Sequence, residues 1–278
     1  MAQPSRVQLN DGRSIPQLGF GVWLVPPEST EQVVAEALRT GFRAIDTAEG
    51  YGNEQGVGTA IRHSDIDRSE IYVTSKLRNG AHAYDEALKA FDGTMAALDL
   101  DVLDLFLIHW PVPAQDKYVE AWRALIQLQN DGRVRSIGVS NFNTEHLERI
   151  IGETGVVPVI NQVELHPRYQ QRALRAFHAR HDIRTESYSP LGHGKDISNP
   201  IIGKIAEKHA RTPAQVIIRW HLQQDLIAIP KSVTPERIRE NFAALDFELD
   251  QEDMRQIERL DDPQGRISGN PATSNDLF

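Results

Sequence analysis

The chain has 278 residues, a length that fits either two average domains or one large barrel. Hydrophobic residues make up 40% of it, enough for a substantial core, and a formal charge of −9 argues against nucleic acid or an anionic membrane surface as a partner. Cysteine is absent, which excludes disulfides, thiol nucleophiles and cysteine-ligated metals and is compatible with a reducing compartment.

We expect a cytoplasmic protein from the hydropathy of the chain. The amino-terminal residues lack the apolar core of a signal peptide. The most apolar run, residues 102–110, is too short to cross a bilayer and carries Asp104 and His109.

The first predicted element is a small β-hairpin over residues 7–17, with Asp11 and Gly12 at its turn, that caps one end of the fold. After it, short apolar runs alternate with amphipathic stretches of helical length, with no Pro/Ser-rich linker between them. The eight predicted strands are residues 18–22, 42–46, 71–76, 103–109, 134–140, 159–164, 183–189 and 226–232.

Helices are predicted between these strands. In residues 29–40, Ser29 and Gln32 have the spacing of a capping box, and a later helix begins at Pro213 with Thr212 as its N-cap. Strands that alternate with helices form parallel βαβ units, and eight such repeats favour an α/β fold of the closed (β/α)8 TIM-barrel type over an open doubly wound sheet. The absence of a linker indicates a single domain over the whole chain.

Polar residues stand where three neighbouring predicted strands end. Catalytic residues of such a barrel come from the carboxyl ends of its strands, which here carry Asp46, Lys76 and His109, with Tyr51 in the loop after the first. Singly, each is more simply explained as a turn cap, a strand-end lysine or a core histidine. Together, they suit a site in which Lys76 lowers the pKa of Tyr51 toward neutrality and Tyr51 protonates a developing alkoxide. The set predicts polar addition to a carbonyl.

A second cluster of polar residues follows the last predicted strand. The sequence has neither G-x-G-x-x-G after a strand nor a P-loop, so phosphates would need another site. Lys231 and Ser232 end the strand, and Thr234 and Pro235 open a helix with Arg237 in its first turn. Two cations and helix amides together favour a local anion site, with a solvated helix start as the alternative.

Six motifs, in order along nearly the whole chain, resemble the signatures of the aldo-keto reductase superfamily: DTAEGYGNE, TSKL, LFLIHWP, RSIGVSNF, INQVELHP and IPKSVTPERIREN. Among its members the chain is most similar to the bacterial 2,5-diketo-D-gluconic acid reductases. The resemblance implies a catalytic tetrad of Asp46, Tyr51, Lys76 and His109. It also implies that Tyr51 donates the proton, that neutral His109 orients the carbonyl oxygen, and that NADPH supplies the hydride.

The resemblance further implies how the cofactor is held. Ser140, Asn141 and Gln162 would hydrogen-bond the nicotinamide carboxamide, and Tyr188 would stack on its ring. The loop over residues 192–199 would fold across the pyrophosphate. The other cofactor-binding residues implied, along the pyrophosphate path, at the phosphate cluster and at the adenine end, are Ser189, Leu191, Gly192, Lys231, Ser232, Val233, Arg237, Glu240 and Asn241.

The predicted substrate pocket departs from the resembled reductases. Glu49 stands where relatives have small or apolar residues, and Arg78 follows TSKL where the diketogluconate reductases carry a tryptophan. Trp23 and Trp110 would frame the pocket. Two roles are possible for Arg78: it binds a substrate carboxylate, or it forms a salt bridge with Glu49 at the rim of the pocket.

The sequence therefore predicts NADPH-dependent reduction of a carbonyl to an alcohol, on diketo acids, α-diketones or α-keto aldehydes. We expect a monomer that binds a small molecule and neither nucleic acid, membrane nor metal. The alternatives are a general aldehyde or aldose reductase, a barrel enzyme of redox-neutral chemistry, and a non-catalytic NADP-binding subunit. The absence of H-E-x-x-H and G-x-S-x-G argues against the second, and the intact tetrad argues against the third.

Overall fold

The computed structural model describes residues 4–277 and opens with the predicted hairpin. Strand β1 (Arg6–Gln8) pairs antiparallel with β2 (Ser14–Pro16). Gly12 at the turn has φ 82°, in the left-handed region that glycine adopts without strain. Ile15 packs against apolar residues inside the barrel, so the hairpin closes one end of it, as predicted.

Eight parallel strands follow in chain order and form the barrel. They are β3 (Phe20–Gly21), β4 (Ala44–Asp46), β5 (Tyr72–Leu77), β6 (Leu103–Ile108), β7 (Val134–Ser140), β8 (Ile160–Glu164), β9 (Arg184–Tyr188) and β10 (Ile227–Ala228). Leu18 makes a parallel bridge to Ala228, and the Gly19 amide donates to the Ala228 carbonyl at 2.9 Å. The last strand thus meets the first, which confirms the (β/α)8 barrel.

The two strands at this seam are shorter than predicted. Residues 18–22 and 226–232 were expected to be strands, whereas β3 and β10 have two residues each. Pro230 has no amide hydrogen to extend the ladder. A Cβ on Gly21 would lie 3.1 Å from the Ile229 carbonyl oxygen. Glycine at this position therefore lets the two backbone segments of the seam lie close together.

The helices lie around the barrel. They are α1 (Pro27–Thr40), α2 (Glu54–Arg62), α3 (Tyr84–Leu98), α4 (Tyr118–Asn130), α5 (Thr144–Thr154), α6 (Arg172–Arg180), α7 (Pro200–His209), α8 (Pro213–Leu222), α9 (Pro235–Phe242) and α10 (Gln251–Glu258). Thr212 caps α8 by accepting from the Gln215 amide, as predicted. Across residues 4–277, no helix has the length and apolar character needed to cross a membrane.

The predicted start of α1 is wrong. The helix begins at Pro27, before Ser29, and the Ser29 hydroxyl donates to the Pro26 carbonyl at 3.1 Å instead of forming a capping box with Gln32. A proline at the first helical position has its φ already fixed, and it has no amide hydrogen that would remain without an acceptor in the helix. Pro27 therefore sets the helix start without a side-chain cap.

The apolar core fills the layer between strands and helices. Phe91 of α3 packs edge-on against Phe106 of β6, with ring centroids 5.0 Å apart. Trp122 of α4 and Trp220 of α8 are completely buried. Full burial of such a side chain stabilises a fold by about 3 kcal/mol, so this layer holds the strand ends in place.

Candidate active site

The structure brings Asp46, Tyr51, Lys76 and His109 together at the carboxyl ends of the strands. Lys76 is completely buried, and its Nζ donates to Asp46 Oδ1 at 2.6 Å and to the Thr47 carbonyl at 2.9 Å. The same nitrogen lies 3.5 Å from Tyr51 Oη. The rings of Tyr51 and His109 meet edge-on with centroids 5.6 Å apart. One phenol thus contacts both a cation and an imidazole.

The turn after β4 carries Tyr51 to this position. A short 3-10 helix, Glu49–Tyr51, follows the strand and ends at Gly52, whose φ of 67° lies in the left-handed region. Asn53 then anchors the turn, since its Nδ2 donates to the Val22 carbonyl at 2.9 Å and its Oδ1 accepts from Thr47 Oγ1 at 2.8 Å. The polar residues of this turn therefore fix Tyr51 over Lys76.

Burial and charge set the protonation states of the site. Burial opposes the charge of Lys76, but Asp46 and Tyr51 raise its pKa above the ordinary lysine value, so it stays a cation at neutral pH. Burial also raises the pKa of Tyr51, although Lys76 lowers it. The expectation that Lys76 brings the pKa of Tyr51 toward neutrality is wrong, because the loss of water disfavours the phenolate more than one cation favours it. Tyr51 therefore keeps its proton at neutral pH.

The imidazole beside Tyr51 is neutral. Burial, and then the positive charge of Lys76, hold the pKa of His109 well below the ordinary histidine value. Its backbone carbonyl accepts from Asn141 Nδ2 at 3.0 Å, which ties the end of β6 to that of β7. A neutral ring can orient a carbonyl oxygen without adding charge to the site.

The residues predicted to hold the nicotinamide lie next to the tetrad and bond to one another. Ser140 Oγ donates to the Gln162 carbonyl at 2.9 Å, and Asn141 Nδ2 donates to Ser140 Oγ at 3.1 Å. The Tyr188 hydroxyl donates to Asn141 Oδ1 at 2.8 Å. Gln162 Nε2 reaches Asp46 Oδ2 at 2.8 Å. These side chains are held in fixed orientations across β7, β8 and β9.

The predicted phosphate cluster surrounds the start of α9. Lys231 and Arg237 are exposed, Ser232 is buried, and Ser232 Oγ accepts from the Thr234 amide at 3.1 Å. Within residues 4–277, neither Lys231 nor Arg237 has a carboxylate at ion-pair distance. Two uncompensated cations beside helix amides suit a phosphate group, so the donor set fits the implied cofactor.

Among the other predicted cofactor residues, Glu240 already has a protein partner. Glu240 Oε1 accepts from Thr212 Oγ1 at 2.6 Å, which ties α9 to the start of α8. Asn241 is buried beside it, and Val233 is half exposed. Glu240 is thus already bonded within the protein, through a contact between two successive helices that the sequence alone did not indicate.

The loop after β9 crosses the mouth of the barrel. It contains Ser189, Leu191 and Gly192, and Ser189 Oγ lies 2.9 Å from the His193 Nε2 atom. The His193 ring stacks on Trp23, with centroids 5.7 Å apart. The predicted cofactor loop and the predicted substrate residue Trp23 therefore meet.

The predicted substrate residues lie on the rim, and two of them pair. Arg78 Nε donates to Glu49 Oε1 at 2.9 Å, so the structure contains the rim salt bridge that the sequence left as one alternative. Trp110 is half-buried next to the carboxy-terminal tail. Asn79 Nδ2 donates to the Asp276 carbonyl at 2.7 Å, which holds the tail against the loop after β5.

Sequence reasoning missed one acidic residue at the site and the contacts of another. Glu186 of β9 is buried inside the barrel, and burial, then the charge of Asp46, raise its pKa to about 8. Side chains two positions apart on a strand lie on the same face, so Glu186 faces the same side as Tyr188. This alternation could have identified Glu186 from the sequence. Glu164 of β8 accepts from the Ile267 amide at 2.6 Å and so holds the carboxy-terminal tail in place.

The chain matches the model of the aldo/keto reductase family over residues 17–195 and 198–262. It is 51% identical to an aldo-keto reductase of Mycobacterium sp. (strain JLS) and 49% identical to the methylglyoxal reductase DkgA of Escherichia coli (strain K12), with 97% of each chain covered in both cases. Its structure is similar to that of a mutant of Gox0644 in complex with NADPH, with a TM-score of 0.95, 54% identity and 99% of each chain covered.

Proposed function

This chain belongs to the aldo/keto reductase family and is an NADPH-dependent oxidoreductase, and we propose that its substrates are dicarbonyl compounds: diketo acids, α-diketones or α-keto aldehydes. The observation that carries the carbonyl reduction itself is the placement of Tyr51, which contacts both the buried Lys76 cation and the neutral His109 ring.

The catalytic roles follow from this geometry. The reduced nicotinamide, when bound, supplies the hydride. His109 holds the substrate oxygen with its neutral ring, and Tyr51 gives its proton to that oxygen as negative charge develops on it. Lys76 stabilises the phenolate that Tyr51 becomes, and Asp46 keeps Lys76 charged and in place. The high pKa of Tyr51 suits a group that must hold its proton until that moment.

The cofactor would lie across the barrel mouth between two groups of residues. Ser140, Asn141 and Gln162 bind the carboxamide at one end, with Tyr188 against the ring. At the other end Lys231, Ser232 and Arg237 bind the phosphate on the adenosine ribose. Both exposed cations have no carboxylate partner among residues 4–277, so they can pair with the phosphate that NADPH carries and NADH lacks, which supports this assignment.

The substrate class rests on relatives and on the rim. The Escherichia coli relative is named a methylglyoxal reductase, which is an enzyme for an α-keto aldehyde. The motifs also resemble those of diketogluconate reductases. Trp23 and Trp110 offer apolar surface at the mouth, while the Glu49–Arg78 pair is neutral overall. In an α-diketone or an α-keto aldehyde the second carbonyl activates the first, which makes either a better hydride acceptor than an aldose.

A substrate panel with a matched variant tests the proposal. Loss of NADPH absorbance is measured with methylglyoxal, an α-diketone, a 2,5-diketo acid, a keto ester and an aldose. We expect the highest kcat/KM for a dicarbonyl. Tyr51→Phe should lower turnover at least about 100-fold while NADPH binding stays unchanged, because only the phenol hydroxyl group that donates the proton is removed. Highest activity on the aldose would reject the substrate class, and turnover near wild type in Tyr51→Phe would reject the tetrad roles.

A further inference from the structure

Glu186 is a buried carboxyl group that the catalytic steps above do not use. It lies on β9, inside the barrel and 1% exposed. Its Oε2 accepts from Gln162 Nε2 at 3.1 Å. The same nitrogen donates to Asp46 Oδ2 at 2.8 Å. One amide nitrogen therefore connects the catalytic Asp46 to a second buried acid.

These two contacts fix the orientation of the Gln162 amide. The side-chain nitrogen of glutamine carries two hydrogens, and here each has a carboxyl oxygen as its acceptor. Rotating the amide by half a turn would direct its oxygen at the Asp46 carboxylate, which is repulsive. The nitrogen is therefore committed to Asp46 and Glu186, and only Oε1 of Gln162 can serve a ligand.

We propose that Glu186 is a positioning residue, which holds Gln162 so that its side-chain oxygen accepts a hydrogen bond from the nicotinamide carboxamide NH2. This inference rests on the proposed placement of the carboxamide beside Gln162. Glu186 then selects one orientation of the carboxamide, with its NH2 group toward β8. That orientation helps to fix which face of the nicotinamide ring lies toward the substrate.

The charges around Glu186 favour its neutral form in this role. The groups that face it are Asp46 of β4, Lys76 and Tyr72 of β5, and Tyr51. Asp46 already balances the charge of Lys76, so a second carboxylate would be a buried charge with no cation of its own. A pKa raised to about 8 keeps the group protonated at neutral pH, and a neutral carboxyl still accepts from Gln162. A neutral amide at this position should therefore replace it.

The experiment compares two cofactors that differ only at the carboxamide. Dissociation constants of NADPH and of its reduced 3-acetylpyridine analogue, in which a methyl ketone replaces the amide, are measured by quenching of tryptophan fluorescence. The analogue has no NH2 to donate to Gln162. We expect wild type to prefer NADPH by about three- to ten-fold, the size of one hydrogen bond. Glu186→Met, which has no acceptor, should lose most of this preference, and Glu186→Gln should keep it.

Controls separate positioning from a general loosening of the barrel. Thr185→Val changes the outward face of the same strand and should leave the preference unchanged. Glu186→Leu and Glu186→Ala repeat the test if the Met variant does not fold. An unchanged preference in every folded variant without an acceptor would overturn the proposal, and so would its loss in Glu186→Gln. Because only binding is measured, a failure here is distinct from a failure of the carbonyl-reduction assays.

Discussion

Two ion pairs lie close together in this molecule and differ in their access to water. Lys76 and Asp46 pair at 2.6 Å with side-chain exposures of 0% and 5%. Arg78 and Glu49 pair at 2.9 Å with exposures of 42% and 25%. The arginine follows the lysine strand directly, and the glutamate follows the aspartate strand. The sequence distance between the pairs is small, yet one is inside the barrel and the other is on its rim.

The difference shows that burial decides what an ion pair does. Removing one partner of a buried pair leaves a charge without water or a counter-ion, whereas an exposed pair is replaced by water at little cost. The buried pair can therefore hold a charged ammonium group against Tyr51. The rim pair can at most adjust the approach of a substrate.

The largest effect should come from breaking the buried pair. Lys76→Met leaves Asp46 buried without its cation, and we expect a loss of about 3–5 kcal/mol in the free energy of unfolding. Turnover should fall by at least about 1000-fold, because the Tyr51 phenolate loses its stabilising charge. Urea denaturation and single-turnover reduction measure the two effects.

The double variant Lys76→Met with Asp46→Leu is the control for this change. It removes both charges, so stability should recover toward wild type while activity stays lost. A single variant as stable as wild type would contradict the view that the Asp46 charge depends on Lys76.

Arg237 differs from the cations of both ion pairs. Arg237 is exposed like Arg78 but has no carboxylate partner within residues 4–277, so its effect should depend on the cofactor. Arg237→Ala should raise the dissociation constant of NADPH by about ten-fold and that of NADH much less, since only NADPH carries the ribose phosphate. Fluorescence titration measures both constants. Arg239→Ala, on the same helix but paired with Glu36, is the matched control. Equal effects of Arg237→Ala on both cofactors would place its role elsewhere.

The buried carboxyl group of Glu186 should make the stability of the fold depend on pH. The pKa of Glu186 is raised to about 8 in the folded protein, above its unfolded value of 4.5. Its contribution is therefore fully present below pH 4.5 and is lost as pH rises through 8. Glu186→Gln should raise the melting temperature at pH 8, relative to wild type, by several degrees more than at pH 5. Equal shifts of Glu186→Gln at both pH values would mean that Glu186 is ionised throughout.

The smallest effect should come from breaking the rim pair. Arg78→Leu removes an exposed ion pair, so stability should change by at most about 1 kcal/mol. Because Glu49 already pairs with Arg78, we expect kcat/KM to change in parallel for an acidic and a neutral dicarbonyl. A loss confined to the acid would show that Arg78 leaves Glu49 to bind a substrate carboxylate.

The sequence by itself determined the fold and the positions of the ionisable residues. Alternating apolar runs and amphipathic stretches specify which residues form strands, and in a closed parallel barrel all strand ends meet at one mouth. That is why Asp46, Lys76 and His109 could be expected together, and why Thr212 and Pro213 predicted the start of α8. These signals are local, so a single sequence contains them.

Only the tertiary structure decided the protonation states and the partners of these residues. Gln162 and Asp46 are 116 positions apart, and the link from Asp46 to Glu186 exists only because β4, β8 and β9 face the same interior. The pKa of Tyr51 depends on how much water the folded chain removes from it. Arg78 pairs with Glu49 because the loops after β4 and β5 lie at the same rim of the barrel. Solvent exposure and contacts between distant strands arise from the packed fold, and no local pattern of residues specifies them.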